Sequence, residues 1–168
     1  MPAPRLQECL LTQHLAKACH GRYDVTKFRG SSINTPSFLA SLDLIGVRSQ
    51  LFLLDSIAHI GNAHANSVVI SGSHGGRSAA EFVIALSQKP SCVFFNDAGG
   101  GKDDAGKVAL QILQAHGIPC ACYSHMSARI GDAQDGYENG FISGFNPLAK
   151  VLGIQLNISV KNALKLLD

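Results

Sequence analysis

The side chains best suited to chemistry in this sequence follow short apolar runs and stand among glycines. In the stretch VVISGSHGGRSAA, residues 68–80, His74 lies between two serines and a pair of glycines. Histidine exchanges protons near neutral pH, and a glycine turn ahead of a helix exposes backbone N–H groups to an anion. We therefore predict that His74 acts as an acid or a base in catalysis. The substrate-binding residues predicted in this stretch are Ser71, Ser73, Gly75 and Gly76.

A second stretch, FFNDAGGGKDDAGK at residues 94–107, also passes from an apolar run into glycines. Asp97 follows the run directly, at a position from which a carboxylate can orient His74 or act as a base. Lys102 is placed to neutralise negative charge that develops on a substrate oxygen. We predict catalytic roles for both residues. The substrate-binding residues predicted here are Asn96 and Gly100.

Part of this stretch, residues 101–107, matches the GxxxxGK pattern of phosphate-binding loops. Val108 stands where such a loop needs a Ser or Thr hydroxyl for magnesium, and Asp103 and Asp104 would repel phosphate. We therefore reject that interpretation. We predict instead that the two aspartates lie in the first turn of a helix, where the helix dipole stabilises each by about 0.3–1 kcal/mol.

A third stretch, CYSHMSARIGD at residues 122–132, supplies His125, Ser127 and Arg129. The planar guanidinium of Arg129 suits a carboxylate or a phosphate, although a local ion pair with Asp132 is the alternative. A serine beside a histidine suggests a nucleophile, but the sequence has no G-x-S-x-G motif, so we do not expect covalent serine catalysis. The substrate-binding residues predicted here and after the first apolar run are His125, Ser127, Arg129 and Asp55.

The histidines do not have the spacing of a metal site. Four of them, with two aspartates, could supply ligands, yet no HxH, HExxH or similar short pattern is present. We therefore expect a metal-free site without a cofactor.

The elements that must position these residues are short apolar runs alternating with helical patterns. The runs are rich in Val, Ile, Phe and Cys, as is typical of strands covered on both faces. The predicted strands are 50–54, 67–70, 91–95, 118–123 and, more weakly, 140–145. The predicted helices are 5–19, 36–44, 78–87, 103–116 and 132–139. The connection 55–66 has no helical face, so the first strand pairs antiparallel or its helix is a single turn.

Alternating strands and helices indicate βαβ units with a parallel sheet and right-handed crossovers. We predict a three-layer α/β fold, Rossmann-like or flavodoxin-like, with four to five mostly parallel strands, helices on both faces and an N-terminal helical segment. At 168 residues with 46% apolar content, the chain is expected to form a single domain over residues 1–168. Its N-terminal extension, 1–48, is helical or irregular, and its βα core is 49–168.

Charge and composition restrict the partners. The 14 basic and 12 acidic residues are scattered and give a formal charge of +2, which disfavours nucleic acid. No apolar run is long enough to span a bilayer, and the N-terminus lacks a secretory pattern. The five cysteines lack CxxC spacing, which suits reduced thiols in a cytoplasmic protein. The apolar helix predicted at 5–19 has little core to pack against, so we expect a homo-oligomer.

The predicted parallel sheet brings the three stretches together, because the carboxyl ends of its strands share one edge. We therefore expect a cofactor-independent enzyme that acts by acid-base chemistry on a small polar or carboxylated metabolite. The reaction is hydrolysis of an amide-like bond, or a lyase or isomerase step. Two alternatives stay open: a non-catalytic sensor or accessory subunit that binds a small metabolite, and a nucleotide or sugar-phosphate binder.

Overall fold

A single mixed sheet organises the protein. The computed structural model describes residues 39–41, as backbone, and residues 49–167. Within them six strands form one sheet in the order of the chain. The strands are β1 (Leu39–Ser41), β2 (Gln50–Leu54), β3 (Val68–His74), β4 (Cys92–Asn96), β5 (Cys120–Tyr123) and β6 (Ile142–Phe145). The four inner strands are parallel, and the two outer strands run antiparallel to their neighbours.

Helices cover both faces of this sheet. The connection from β2 to β3 contains two single 3₁₀ turns, Ile57–His59 and Asn62–His64, and a further irregular 3₁₀ segment covers Lys102–Lys107. The α-helices are α1 (Arg77–Ile84), α2 (Ala109–Ala115), α3 (Ala133–Asn139), α4 (Pro147–Val151) and α5 (Val160–Leu164). None of the helices in the described residues is long and apolar enough to cross a membrane.

The period-two alternation of the strands divides the core into two layers. Val68 and Ile70 of β3 belong to one buried cluster, with residues of α3 and α5, whereas Val69 belongs to the other, with residues of α1 and α2. Phe94 and Phe95 of β4 are divided in the same way. Right-handed crossovers between consecutive parallel strands all lie on one face, which explains why α1 and α2 share a side. The chain after β5 covers the opposite side.

The α/β class and the largely parallel sheet agree with the sequence-based prediction. The consecutive strand order does not, because Rossmann-like and flavodoxin-like sheets reverse their order once, and ligands bind at that reversal. The described strands therefore do not have the Rossmann-like or flavodoxin-like arrangement, and their order was not predictable from the sequence. The reason is that apolar runs reveal strands but not their neighbours.

Three local predictions are also decided by the structure. The connection 55–66 contains single turns and leads to a parallel strand, which is the second of the two alternatives. The helix predicted at 36–44 is wrong over Leu39–Ser41, which form β1 against β2. The helix predicted at 103–116 begins only at Ala109, because the preceding residues form a bent loop. The predicted helix 5–19 lies outside the described residues.

A segment after β5 crosses the carboxyl edge of the sheet. This crossing segment, residues 124–132, runs from β5 past β4 and β3 to the end of β2. Asn96 Nδ2 at the end of β4 donates to the carbonyl oxygen of Ala128 at 3.0 Å. The backbone N–H of Gly131 donates to the carbonyl of Gly72 in β3 at 2.7 Å. The strand ends are thus partly covered by the chain itself.

Candidate functional site

Several predicted substrate-binding side chains are engaged in hydrogen bonds that fix loops at this edge. Asp55 Oδ1 accepts the backbone N–H of Ala133, the first residue of α3, at 2.9 Å. Ser73 Oγ accepts the N–H of Ile57 at 3.0 Å, and the buried Ser71 Oγ accepts the N–H of Ser73 at 3.2 Å. These contacts use the polar atoms to support the backbone.

Asn96 and Ser127 are engaged in the same way. Asn96 is fully buried, and its Oδ1 accepts the N–H of Ala98 at 2.9 Å while its Nδ2 contacts the crossing segment. Ser127 Oγ donates to the carbonyl of Ser124 at 2.8 Å and accepts the N–H of Phe141 at 2.9 Å. Both side chains therefore support the edge on which Asp97 and His125 lie.

Asp97 and His125 form the closest pair of titratable groups among the predicted site residues. Asp97 follows β4 and His125 follows β5, so adjacent parallel strands deliver the two side chains to one place. The Nδ1 atom of His125 lies 2.8 Å from Asp97 Oδ1. The same oxygen accepts the backbone N–H of His125 at 3.0 Å and that of Gly99 at 2.9 Å. Asp97 therefore contacts His125 and not, as the sequence suggested, His74.

Hydrogen bonding keeps the Asp97 carboxylate ionised. Its side chain is only 10% exposed, and burial alone would raise its pKa. The backbone N–H groups of His125 and Gly99, with the side chains of Ser143 and His125, outweigh burial and lower the pKa of Asp97 below its ordinary value. A negative charge is thus available beside the imidazole.

The His125 ring also lies against Gly99. A Cβ atom built on Gly99 would be 3.1 Å from His125 Cε1 and 3.4 Å from Nε2. The side chain of His125 is 38% exposed, and among the described residues Nε2 has no hydrogen-bond partner. The ring therefore has one nitrogen on the carboxylate and the other available to a ligand.

The loop that follows Asp97 has an unusual backbone. Its left-handed residues are Ala98, Gly99, Gly100, Gly101, Asp103 and Asp104, with φ between 49° and 80°. Residues other than glycine rarely adopt this region, and such strain is concentrated at functional sites. The bend is closed by the N–H of Gly106, which donates to the carbonyl of Gly100 at 2.7 Å.

Lys107 is the lysine that this loop brings towards Asp97. Its Nζ lies 3.0 Å from Asp104 Oδ1, and its side chain is 30% exposed. The Asp104 carboxylate raises the pKa of Lys107, and the negative charge of Asp97 adds to the effect. Lys102, the predicted catalytic lysine, is exposed and forms no ion pair within the described residues.

His74 lies beside a separate open cavity of about 560 Å³. The cavity is lined by His74, Gly76, Arg77, Ser78, Glu81, Asp103, Ala105 and Val108. Asp97, His125, Lys102 and Arg129 are not among these residues, although Asp103 belongs to the loop that begins at Asp97. The structure therefore brings together Asp97 and His125, and places His74 with the first turns of α1.

The two glycines after His74 allow close packing between β3 and this loop. A Cβ on Gly75 would be 3.1 Å from the carbonyl oxygen of Gly106 and 3.3 Å from Cys122 Sγ. A Cβ on Gly76 would be 2.8 Å from His74 Nε2. Only glycine at position 76 leaves the imidazole in its observed place, and Gly76 also lines the cavity beside it.

The remaining predicted residues contribute less to this geometry. Arg129 is 81% exposed, and its guanidinium lies 3.7 Å from Asp132, the alternative that its spacing suggested. The described residues contain no cluster of three or more His, Cys, Asp or Glu side chains arranged for a metal ion.

Sequence reasoning missed Gly99, Lys107 and Ser143. Gly99 was recognisable only as one of three glycines, since the direction of a bend cannot be read from composition. Lys107 belongs to the region predicted as a helix, and a lysine in a helix does not by itself indicate a functional role. Ser143 lies on β6, whose antiparallel return beside β5 is not visible in the sequence.

Comparison with known proteins finds no matching family model, no matching curated protein and no matching solved structure. The functional conclusion therefore depends on the site alone.

Proposed function

We propose that this protein is an enzyme that transfers a proton to and from a small polar or carboxylated substrate, without an organic cofactor. His125 is the base and Asp97 orients it. The observation that carries the proposal is the 2.8 Å contact between His125 Nδ1 and an aspartate oxygen that two backbone N–H groups also fix.

The chemistry follows from the two nitrogens of the ring. A carboxylate at Nδ1 favours the tautomer with its proton on Nδ1, which leaves a lone pair on Nε2. When Nε2 accepts a proton, the ionised Asp97 stabilises the imidazolium. Nε2 can remove a proton from water for hydrolysis of an amide-like bond, or from carbon for a lyase or isomerase step. Both reaction classes need this same base.

Lys107 supplies the positive charge in this proposal, in the role that the sequence suggested for Lys102. Its ammonium group is near the glycine bend that also contacts His125, since a Cβ on Gly100 would be 3.4 Å from Lys107 Cε. A cation there stabilises negative charge that develops on a substrate oxygen. Its ion pair with Asp104 is partly exposed and therefore weak enough to exchange for a substrate carboxylate.

The test is a screen that detects proton transfer without knowledge of the substrate. The protein is incubated in D₂O with small amides, hydroxy acids and keto acids, and hydrolysis or loss of C–H signals is followed by proton NMR. We expect turnover of at least one compound, and a decrease of about 100-fold or more in His125→Gln and Asp97→Asn. His59→Gln is the control, because His59 is an exposed histidine without a carboxylate partner in the described residues.

Turnover that persists in His125→Gln would contradict the proposal. A panel in which wild-type protein turns over nothing, but in which a compound raises the melting temperature, would favour the sensor or accessory subunit instead. The cavity beside His74 is the specific feature in favour of that second function. In that case His74→Ala, and not His125→Gln, should remove the thermal shift.

The proposal places the protein in the cytoplasm as a homo-oligomer. Three buried cysteines of the described residues are free thiols, which suits a reducing compartment. Self-association was expected from the apolar pattern of residues 5–19, and the native mass from light scattering tests it. A monomer mass would contradict this part of the proposal.

A further inference from the structure

We propose that Gly99 is a positioning residue that fixes the His125 ring in the orientation needed for proton transfer. This inference rests on the proposed function. Gly99 contacts both members of the pair: its N–H donates to Asp97 Oδ1 at 2.9 Å, and its α-carbon faces His125 Cε1 and Nε2. One residue thus limits the movement of the carboxylate and of the imidazole.

Two independent features require glycine at this position. The φ angle of Gly99 is +69°, a conformation that residues with a side chain rarely adopt. In addition, a Cβ would approach the ring at 3.1 Å, which is closer than an ordinary van der Waals contact. The second feature acts directly on His125.

The ring cannot move away from a new Cβ without changing its hydrogen bond. The Asp97 carboxylate is fixed by the backbone N–H groups of His125 and Gly99, so it cannot follow the ring freely. A displacement of a few tenths of an ångström therefore lengthens the contact between His125 Nδ1 and Asp97. The preference for the Nδ1–H tautomer, which leaves Nε2 able to accept a proton, weakens as a result.

Gly101 provides a matched control within the same bend. Its φ is also +69°, but a Cβ there would have no heavy atom within 4 Å. Gly99→Ala and Gly101→Ala therefore both place alanine at the same positive φ, and only the first brings a methyl group against the ring. The pair separates positioning of His125 from general strain in the loop.

The experiment measures the ring directly. The ¹⁵N chemical shifts of His125 Nδ1 and Nε2 report its tautomer by NMR. We expect the Nδ1–H tautomer in wild-type protein and in Gly101→Ala, and a mixture of tautomers in Gly99→Ala. With the substrate found in the screen, we expect kcat to fall about tenfold in Gly99→Ala with little change in KM.

Asparagine variants keep the test decisive if alanine destabilises the loop. Asn adopts positive φ more readily than other residues with a side chain, so Gly99→Asn repeats the substitution with a better tolerated residue, and Gly101→Asn is its control. Wild-type ring shifts in both variants of Gly99 would overturn the inference, even if His125 proved to be the base. Full activity in His125→Gln would instead overturn the proposed function, and ring shifts perturbed in Gly99→Ala would still show that Gly99 orients the imidazole.

Discussion

At the scale of single residues, Asp97 is the most connected group of the candidate site. One of its oxygens accepts three N–H groups, two from His125 and one from Gly99. The sequence identified Asp97 and His125 because both lie within two residues of the end of a strand. It suggested His74 as the partner of Asp97 rather than His125. The strands that carry the two histidines lie on either side of β4, and the sequence does not reveal the direction of the bend that follows β4.

We expect Asp97→Asn to make the protein less stable in a way that depends on pH. The folded pKa of Asp97 is below its ordinary value, so its carboxylate stabilises the fold above about pH 4, and this contribution is lost as pH falls through the folded pKa. At pH 7 the variant should lose about 1–3 kcal/mol of unfolding free energy, because a neutral amide oxygen accepts the three N–H groups more weakly than a charged carboxylate.

Urea denaturation at pH 7 and pH 3 measures this effect, and the difference from wild type should shrink at the lower pH. Asp103→Asn is the control, because Asp103 belongs to the same loop and is exposed. A difference that stays constant between the two pH values would show that the Asp97 charge is not the cause.

At the scale of elements, the crossing segment decides which strand ends stay accessible. Its backbone hydrogen bond to Gly72 of β3 and its contact with Asn96 cover the middle of the carboxyl edge. The polar residues after the strands were predictable from their positions, and so was their meeting at one edge. Their hydrogen bonds to the crossing segment were not predictable, because residues 124–132 resemble an ordinary loop until the path of this segment over the sheet is known.

The packing of this segment predicts a large effect of Gly72→Ala. A Cβ at Gly72 would be 2.6 Å from the backbone N of Asp132 and 2.8 Å from the carbonyl oxygen of Asp55. These neighbours are backbone atoms, which cannot move aside as the end of a flexible side chain could. We expect a loss of about 3 kcal/mol or more in unfolding free energy, measured by urea denaturation.

Gly61→Ala is the matched control, since a Cβ at Gly61 has no atom within 4 Å. It should change the stability by less than about 0.5 kcal/mol. Equal stabilities for the two variants would mean that the crossing segment does not press on β3 in solution.

At the scale of the whole molecule, the sheet separates two apolar layers. The apolar runs predicted the strands closely, because each run is buried on both faces and its residues alternate between the layers. The pattern gave the class of fold for the same reason. The apolar pattern did not reveal the strand order or the late start of α2. Which strands lie side by side in the sheet, and where residues adopt left-handed conformations, leave no periodic signal in the sequence.

The buried cysteines offer a probe of this arrangement. Burial raises the pKa of Cys92 and of Cys122 to about 12, and raises the pKa of Cys120 well above its ordinary value. Because thiolates are the reactive species, these three should react with iodoacetamide at pH 8 at least about a thousandfold more slowly in native protein than in urea. Peptide mass spectrometry separates their rates, and fast labelling of any of the three in native protein would contradict the packed sheet.

The consecutive order of the strands also affects how the chain acquires its structure during synthesis. Each of the strands β2 to β5 pairs with the one made just before it, so most of the sheet can assemble as the chain leaves the ribosome. Among the described residues, α3 and α5, which cover one of the two apolar layers, are made only after β5. A nascent chain paused before residue 124 would therefore lack the helices that complete this layer, and its last step of folding waits for the final third of the described chain.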